Sequence, residues 1–191
     1  MSGSSGPPGV VIERWAVPAD EQSLASDLNE LADTLHAVVH TGAGVSFIVP
    51  FSLEEARRFW IDRVLPGILE GNKHLLVAGD SGRIVGTVTL EFAWAPNQPH
   101  RAEVSKLLVH PDARRRGIAR ALMVALEDLS LELGRTLLTL DTWTGEPAER
   151  LYQSLGYVTV GVIPRFARTS LSPELEPTTV MYKELARQDA T

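Results

Sequence analysis

RAEVSKLLVHPDARRRGIARALM, residues 101–123, passes from an apolar strand through a Pro-containing turn and an Arg/Gly loop into an amphipathic helix. The helix begins inside the loop Arg114-x-x-Gly117-x-Ala119. Successive backbone N–H groups therefore converge there with nothing inside the helix to accept them. Such a helix N-terminus is an anion site, and a diphosphate suits it. Gly117 allows close approach of the backbone, and Ala119 keeps the next approach nearly as open. Arg114, Arg115, Arg116 and Arg120 add positive charge. Arg-x-x-Gly-x-Ala alone carries little weight, since short glycine motifs recur by chance; its place between a strand and a helix gives it meaning.

The rest of the chain narrows the options. Its 191 residues suit one domain with a sizeable core. The net charge of −6 makes the arginine cluster a local feature, which excludes a general nucleic-acid surface, because that needs a broad basic face. With no cysteine, disulfides, thiolate metal sites and a cysteine nucleophile are excluded. The five histidines show no metal-ligand spacing, so no metal is expected. No apolar run approaches the roughly 20 residues that cross a bilayer, and no signal-peptide pattern opens the chain. A cytoplasmic location without a membrane partner is the expectation.

MSGSSGPPG, residues 1–9, reads as a flexible tail, native or from a tag; 10–186 as the folded domain; 187–191 as a frayed end. Leu24, Leu28, Leu31 and Leu35 repeat at helical spacing between Asp20 and His40. Ser52, with Glu54 and Glu55 after it, opens a second helix expected to reach about Leu69 with a kink near Pro66. Gly42-x-Gly44 lies between two helices, which makes it a poor dinucleotide fingerprint. HLLVAGDSGRIVGTVTLEFAW reads as a hairpin around Asp80-Ser81-Gly82. After the motif helix come a strand in TLLTLDTW, a helix from about Pro147 to Leu155 stopped by Gly156, and two last strands, YVTVGVIP and TTVMYKEL.

The 101–123 segment resembles motif A of the GNAT superfamily of N-acetyltransferases, in which Arg/Gln-x-x-Gly-x-Gly/Ala holds the diphosphate of acetyl-CoA. AERLYQSLGY resembles motif B, and the order of elements follows the family over about residues 10–186. HTGAGVSF, RAEVSKLLVHPDARRRG, LTLDTWTGEPAERLYQSLGY and VGVIPRFA together look like the tabtoxin-resistance acetyltransferases. The resemblance implies an α/β fold: a mixed, mostly antiparallel sheet of about seven strands, splayed in the middle and flanked by about four helices. It also implies acetyl-CoA as co-substrate, a small amine as acceptor, direct attack in a ternary complex, and a role in toxin or antibiotic resistance. Monomer and homodimer both remain open. Alternatives are acetylation of protein lysines or N-termini, and a coenzyme A-sensing domain without turnover.

Residue roles follow from the same resemblance. The backbone of Leu107, Leu108 and Val109 would receive the pantetheine arm as an added strand. Arg114, Arg115, Arg116, Gly117, Ile118, Ala119 and Arg120 would hold the diphosphate. An amine acceptor is largely protonated at neutral pH, so a base is useful, and Glu103 and Asp141 are the candidate carboxylates. Tyr152 stands where the family places the acid that protonates the departing thiolate. The first helix, the Thr41-to-Phe47 segment and the late Ile163-Pro164-Arg165 segment are expected to wall the acceptor pocket, giving His40, Phe47 and Arg165 as contacts.

Overall fold

The computed structural model describes residues 4, 5 and 7–186; of the expected tails, residues 1–3, 6 and 187–191 lie outside the described part. Eight strands form one sheet in the order β1-β2-β3-β4-β5-β6-β8-β7. They are β1 (Ser4–Ser5), β2 (Val10–Arg14), β3 (Lys73–Asp80), β4 (Arg83–Phe92), β5 (Arg101–Val109), β6 (Leu137–Trp143), β7 (Val158–Arg168) and β8 (Leu175–Glu184). All neighbours run antiparallel except β5 and β6, which are parallel. This is the GNAT fold expected from the sequence: seven principal strands, with the two-residue β1 added at one edge.

Helices cover both faces. On one face lie α1 (Glu21–His40) and a continuous helical stretch from α2 (Leu53–Phe59) through a π-helical turn (Trp60–Val64) into α3 (Leu65–Leu69). Leu28, Leu31 and Leu35 of α1 are buried there with Trp60, Leu75 and Val77. On the other face α4 (Ile118–Glu132) sets Ile118, Leu122, Met123 and Leu126 against Leu76, Val88, Leu90, Ala102 and Val104. The apolar stripes of the two helices thus fill two cores on opposite sides of one sheet. α5 (Pro147–Ser154) follows β6.

Local chemistry sets the boundaries. Asp20 caps α1 by accepting from the Ser23 N–H at 2.8 Å. Ser52 and Glu55 form a reciprocal capping box at α2. The helix irregularity falls at Trp60–Val64, one turn before Pro66. Proline cannot donate to the carbonyl four residues earlier, so the ladder loosens on its N-terminal side. The Ser81-Gly82 turn has both residues at positive φ, 51° and 80°, as a two-residue hairpin demands.

Candidate active site

The parallel pairing of β5 with β6 is short: Arg101 faces Leu137, Ala102 faces Leu138, Glu103 faces Thr139, and there the ladder stops. Both strands continue, β5 to Val109 and β6 to Trp143, so the sheet is splayed at its centre. A bulge bends β5 at that point. Thr87 pairs with Leu108 but Thr89 with Ser105, which leaves an extra residue on β5, and Lys106 takes φ 52°. The Thr87 and Thr89 hydroxyls hold the distortion by donating to the carbonyls of Lys106 and Ser105, at 2.9 and 2.8 Å.

A cleft of about 730 Å³ occupies the splay. Leu107–Val109 line it along β5, the first turn of α4 closes one part, and Pro147, Leu151 and Tyr152 of α5 another. The loop Thr41–Ser46 is also part of its wall. Gly44 packs so tightly on Trp143 that a Cβ there would lie 3.3 Å from the indole, which accounts for one of the two glycines between the helices. Arg114 ties this loop to the motif loop by donating to Thr41 Oγ1 at 2.9 Å.

At the α4 N-terminus, Gly117 is the N-cap residue with φ 82° and no side-chain cap. A left-handed N-cap favours glycine, and without a capping side chain the N–H groups of the first turn are left to a ligand. Arg114, Arg115 and Arg120 line the cleft beside them. Ile118 is buried in the α4-side core, so it offers the cleft its backbone. This arrangement fits the diphosphate of acetyl-CoA: free donors, an open glycine and adjacent guanidiniums. The Arg116 guanidinium is not among the lining groups. It pairs with Asp80 of the hairpin turn at 2.5 Å.

Asp141 and Tyr152 both line the cleft. Asp141 is exposed on β6, with Thr178 Oγ1 2.9 Å from its Oδ2. Tyr152 is 7% exposed, its ring 5.7 Å from that of Tyr157. Burial first, and the Asp141 charge second, push its phenol well above the ordinary tyrosine range. Glu103 lies on the same sheet face as Asp141, one alternation back along the splay, but it is exposed and outside the lining.

The remaining expected contacts stand elsewhere. His40 stacks on His36 with ring centroids 4.1 Å apart, and its Nδ1 is 2.9 Å from the His36 carbonyl. Phe47 packs on Phe51 and Phe59 in a neighbouring depression. Arg165 is exposed in an irregular part of β7, and the cleft lining includes nothing from Ile163-Pro164-Arg165. Conversely, Lys106, Trp143 and Glu146 line the cleft without having been singled out. Lys106 lies within the motif strand, but regular alternation would put it on the face opposite Ser105. Only the bulge turns it inward.

Among the described residues no helix is long and apolar enough to cross a membrane, and no cluster of three or more metal-binding side chains occurs. Residues 39–157 match the family described as Acetyltransferase (GNAT) family. An uncharacterized N-acetyltransferase from the hisH-hisA intergenic region of Azospirillum brasilense is 32% identical over 118 residues, spanning 60% of this chain and 67% of that protein. An N-acetyltransferase structure from Staphylococcus aureus superposes with a TM-score of 0.73 at 18% identity, covering 93% of this chain and 99% of the other. A GNAT superfamily phosphinothricin acetyltransferase from Sinorhizobium meliloti, solved in complex with acetyl-CoA, gives 0.72 at 22% identity, covering 96% and 92%. Shared architecture and the family match over most of the chain agree with the diphosphate-type loop. The chain belongs to the GNAT acetyltransferase family, and its reaction is acetyl-CoA-dependent N-acetylation.

Proposed function

We propose that this enzyme acetylates the amine of a small molecule by direct attack in a ternary complex, as a toxin- or antibiotic-inactivating enzyme of the tabtoxin-resistance type. The observation carrying the reading is that a carboxylate, a buried phenol and an uncapped helix N-terminus line one cleft. The Thr41–Ser46 loop, pinned by Arg114 and Trp143, makes part of that cleft's wall, which suits a compact acceptor better than a peptide.

Bound acetyl-CoA supplies the activated acetyl thioester. The N–H groups of the first α4 turn, with Arg114, Arg115 and Arg120, would hold its diphosphate, and the Leu107–Val109 backbone its pantetheine arm. Asp141 takes a proton from the acceptor ammonium, whose lysine-like pKa of about 10.4 otherwise leaves little free amine. Thr178 Oγ1 orients that carboxylate. Glu103, farther along the same face, adds negative potential for the incoming ammonium. Tyr152 Oη keeps its proton at neutral pH and gives it to the departing sulfur. The burial that raises the phenol pKa also raises the basicity of a thiolate formed in that cleft, so the two remain matched.

Release of coenzyme A thiol, followed across a panel of small amines and lysine- or N-terminus-bearing peptides, tests this reading. Turnover confined to small amines supports it. Turnover confined to peptides replaces it with protein acetylation, and acetyl-CoA binding without turnover on any acceptor makes the chain a sensor.

A further inference from the structure

Lys106 is a charged cleft residue that the mechanism above leaves without a task. Its positive φ sits at the β5 bulge, and its Nζ lies 5.6 Å from the centroid of the Phe59 ring, on the side of the sheet covered by α1 and α2. The side chain is partly buried and lines the cleft. Among the described residues it enters no ion pair. The charges that act on it come from three other strands and its own: Asp141 on β6, Glu91 on β4, Lys73 on β3 and Glu103 on β5. Glu91 is already engaged by Lys73 at 2.9 Å. Burial draws the Lys106 pKa below its ordinary value, while the carboxylates oppose that shift. A desolvated ammonium without a direct partner is costly, and a left-handed lysine adds backbone strain. Both costs are understandable if the position serves a ligand.

We propose that Lys106 binds an anionic group of the acceptor, so that the preferred substrates are amino-acid-like zwitterions with the carboxylate on Lys106 and the ammonium toward Asp141; this rests on the small-amine reading above. The cleft then offers a cation and a carboxylate on adjacent strands, a pairing that a simple alkylamine would leave half used. A neutral acceptor would leave the Lys106 ammonium buried against its uncharged end, and sites lose affinity steeply when a buried polar group is left unpaired.

The test uses the full-length enzyme, the protein amino acids and their matched carboxamides, which differ only in the charge of one group. For acids that turn over, the wild type should favour the acid over its amide by about tenfold or more in kcat/KM, mainly through KM. Lys106→Met should collapse the acid-to-amide ratio toward one, and Lys106→Arg should restore part of it. A purely structural lysine would lower both substrates together and leave the ratio intact, which overturns the proposal. So does a wild-type preference for amides or uncharged amines, and that outcome leaves the small-amine reading standing. Turnover of peptides with no small amine accepted overturns both.

Discussion

Tyr152 can be tested by removing one oxygen. Tyr152→Phe keeps the ring that packs near Tyr157, so the fold and acetyl-CoA affinity should survive while kcat falls by about 10²–10⁴-fold. The deficit should narrow with a thioester whose thiol is more acidic, because that leaving group needs less help. Equal deficits with both donors would make Tyr152 a positioning residue. Asp141→Asn should likewise lower turnover about a hundredfold or more, with little change in acetyl-CoA affinity, and Glu103→Gln should cost less because Glu103 stands outside the lining. Steady-state rates of the two variants from about pH 6 to pH 9 rank the carboxylates; wild-type rates for Asp141→Asn would remove it as the base. His74 belongs to stability. It is 4% exposed, with neither ring nitrogen hydrogen-bonded, and burial, then Arg14 and Arg135, draw its pKa from 6.5 to about 4. The folded pKa is the lower one, so the contribution is full above about pH 6.5 and is lost as pH falls toward 4, up to about 3 kcal/mol. Urea unfolding at about pH 7.5 and pH 4.5 should show a loss in the wild type that His74→Leu reduces by about 2–3 kcal/mol. Identical losses would assign the acid sensitivity to other groups.

At the scale of the element, α4 begins with a left-handed glycine N-cap that the proposed function also needs for ligand access. Gly117→Ala should cost about 1–2 kcal/mol of stability through its left-handed φ, with a limited effect on binding. Gly117→Glu adds the same strain and places a carboxylate where the diphosphate would lie. Calorimetry should show its acetyl-CoA affinity lowered well over tenfold, against the Ala variant as control for strain. Equal affinities in the two variants would move the diphosphate elsewhere. The capping box gives an independent check on α2. Ser52→Ala removes the acceptor of the Glu55 N–H and the partner of its carboxylate, for an expected loss of about 1 kcal/mol. A neutral result there would mean that packing of Ala56 and Trp60 alone holds the start of this helical stretch.

Across the whole molecule, the two cores are joined by a sheet whose seven principal strands are least paired beside the candidate cleft. Only three residue pairs connect β5 with β6, whereas β6 and β8 pair along seven. On the proposed function, a ligand seated in the splay would bridge the halves through α4 on one side and α5 on the other, and would bind the folded chain alone. At a concentration about a hundredfold above its Kd, acetyl-CoA should therefore add about 2.7 kcal/mol of stability, a Tm rise of about 5–10 °C for a domain of this size. Differential scanning fluorimetry checks this. The shift should vanish in Gly117→Glu, and a shift that persists there would place the binding energy away from the α4 N-terminus.

The sequence by itself determined whatever depends on neighbours along the chain. The Arg114-x-x-Gly117-x-Ala119 loop was legible because a glycine N-cap, an uncapped helix start and flanking arginines are all local features. The Leu28, Leu31 and Leu35 stripe, the Ser52 cap and the Asp80-to-Gly82 turn were legible for the same reason: helical period, side-chain capping and positive φ act within a few residues. Tertiary structure alone decided which candidates meet. Lys106 enters the cleft because the β4–β5 register slips by one residue, and nothing in the LeuLeuVal run signals that slip. Glu103 is left outside because the β5–β6 ladder ends beside it, Arg116 is drawn off by Asp80 from a distant hairpin, and Arg165 rides an irregular part of β7 away from the lining. Those outcomes depend on long-range register and on partners far apart in sequence. Local pattern carries the loop proposed to take the anion; packing across the sheet chooses which side chains look into the cleft beside it.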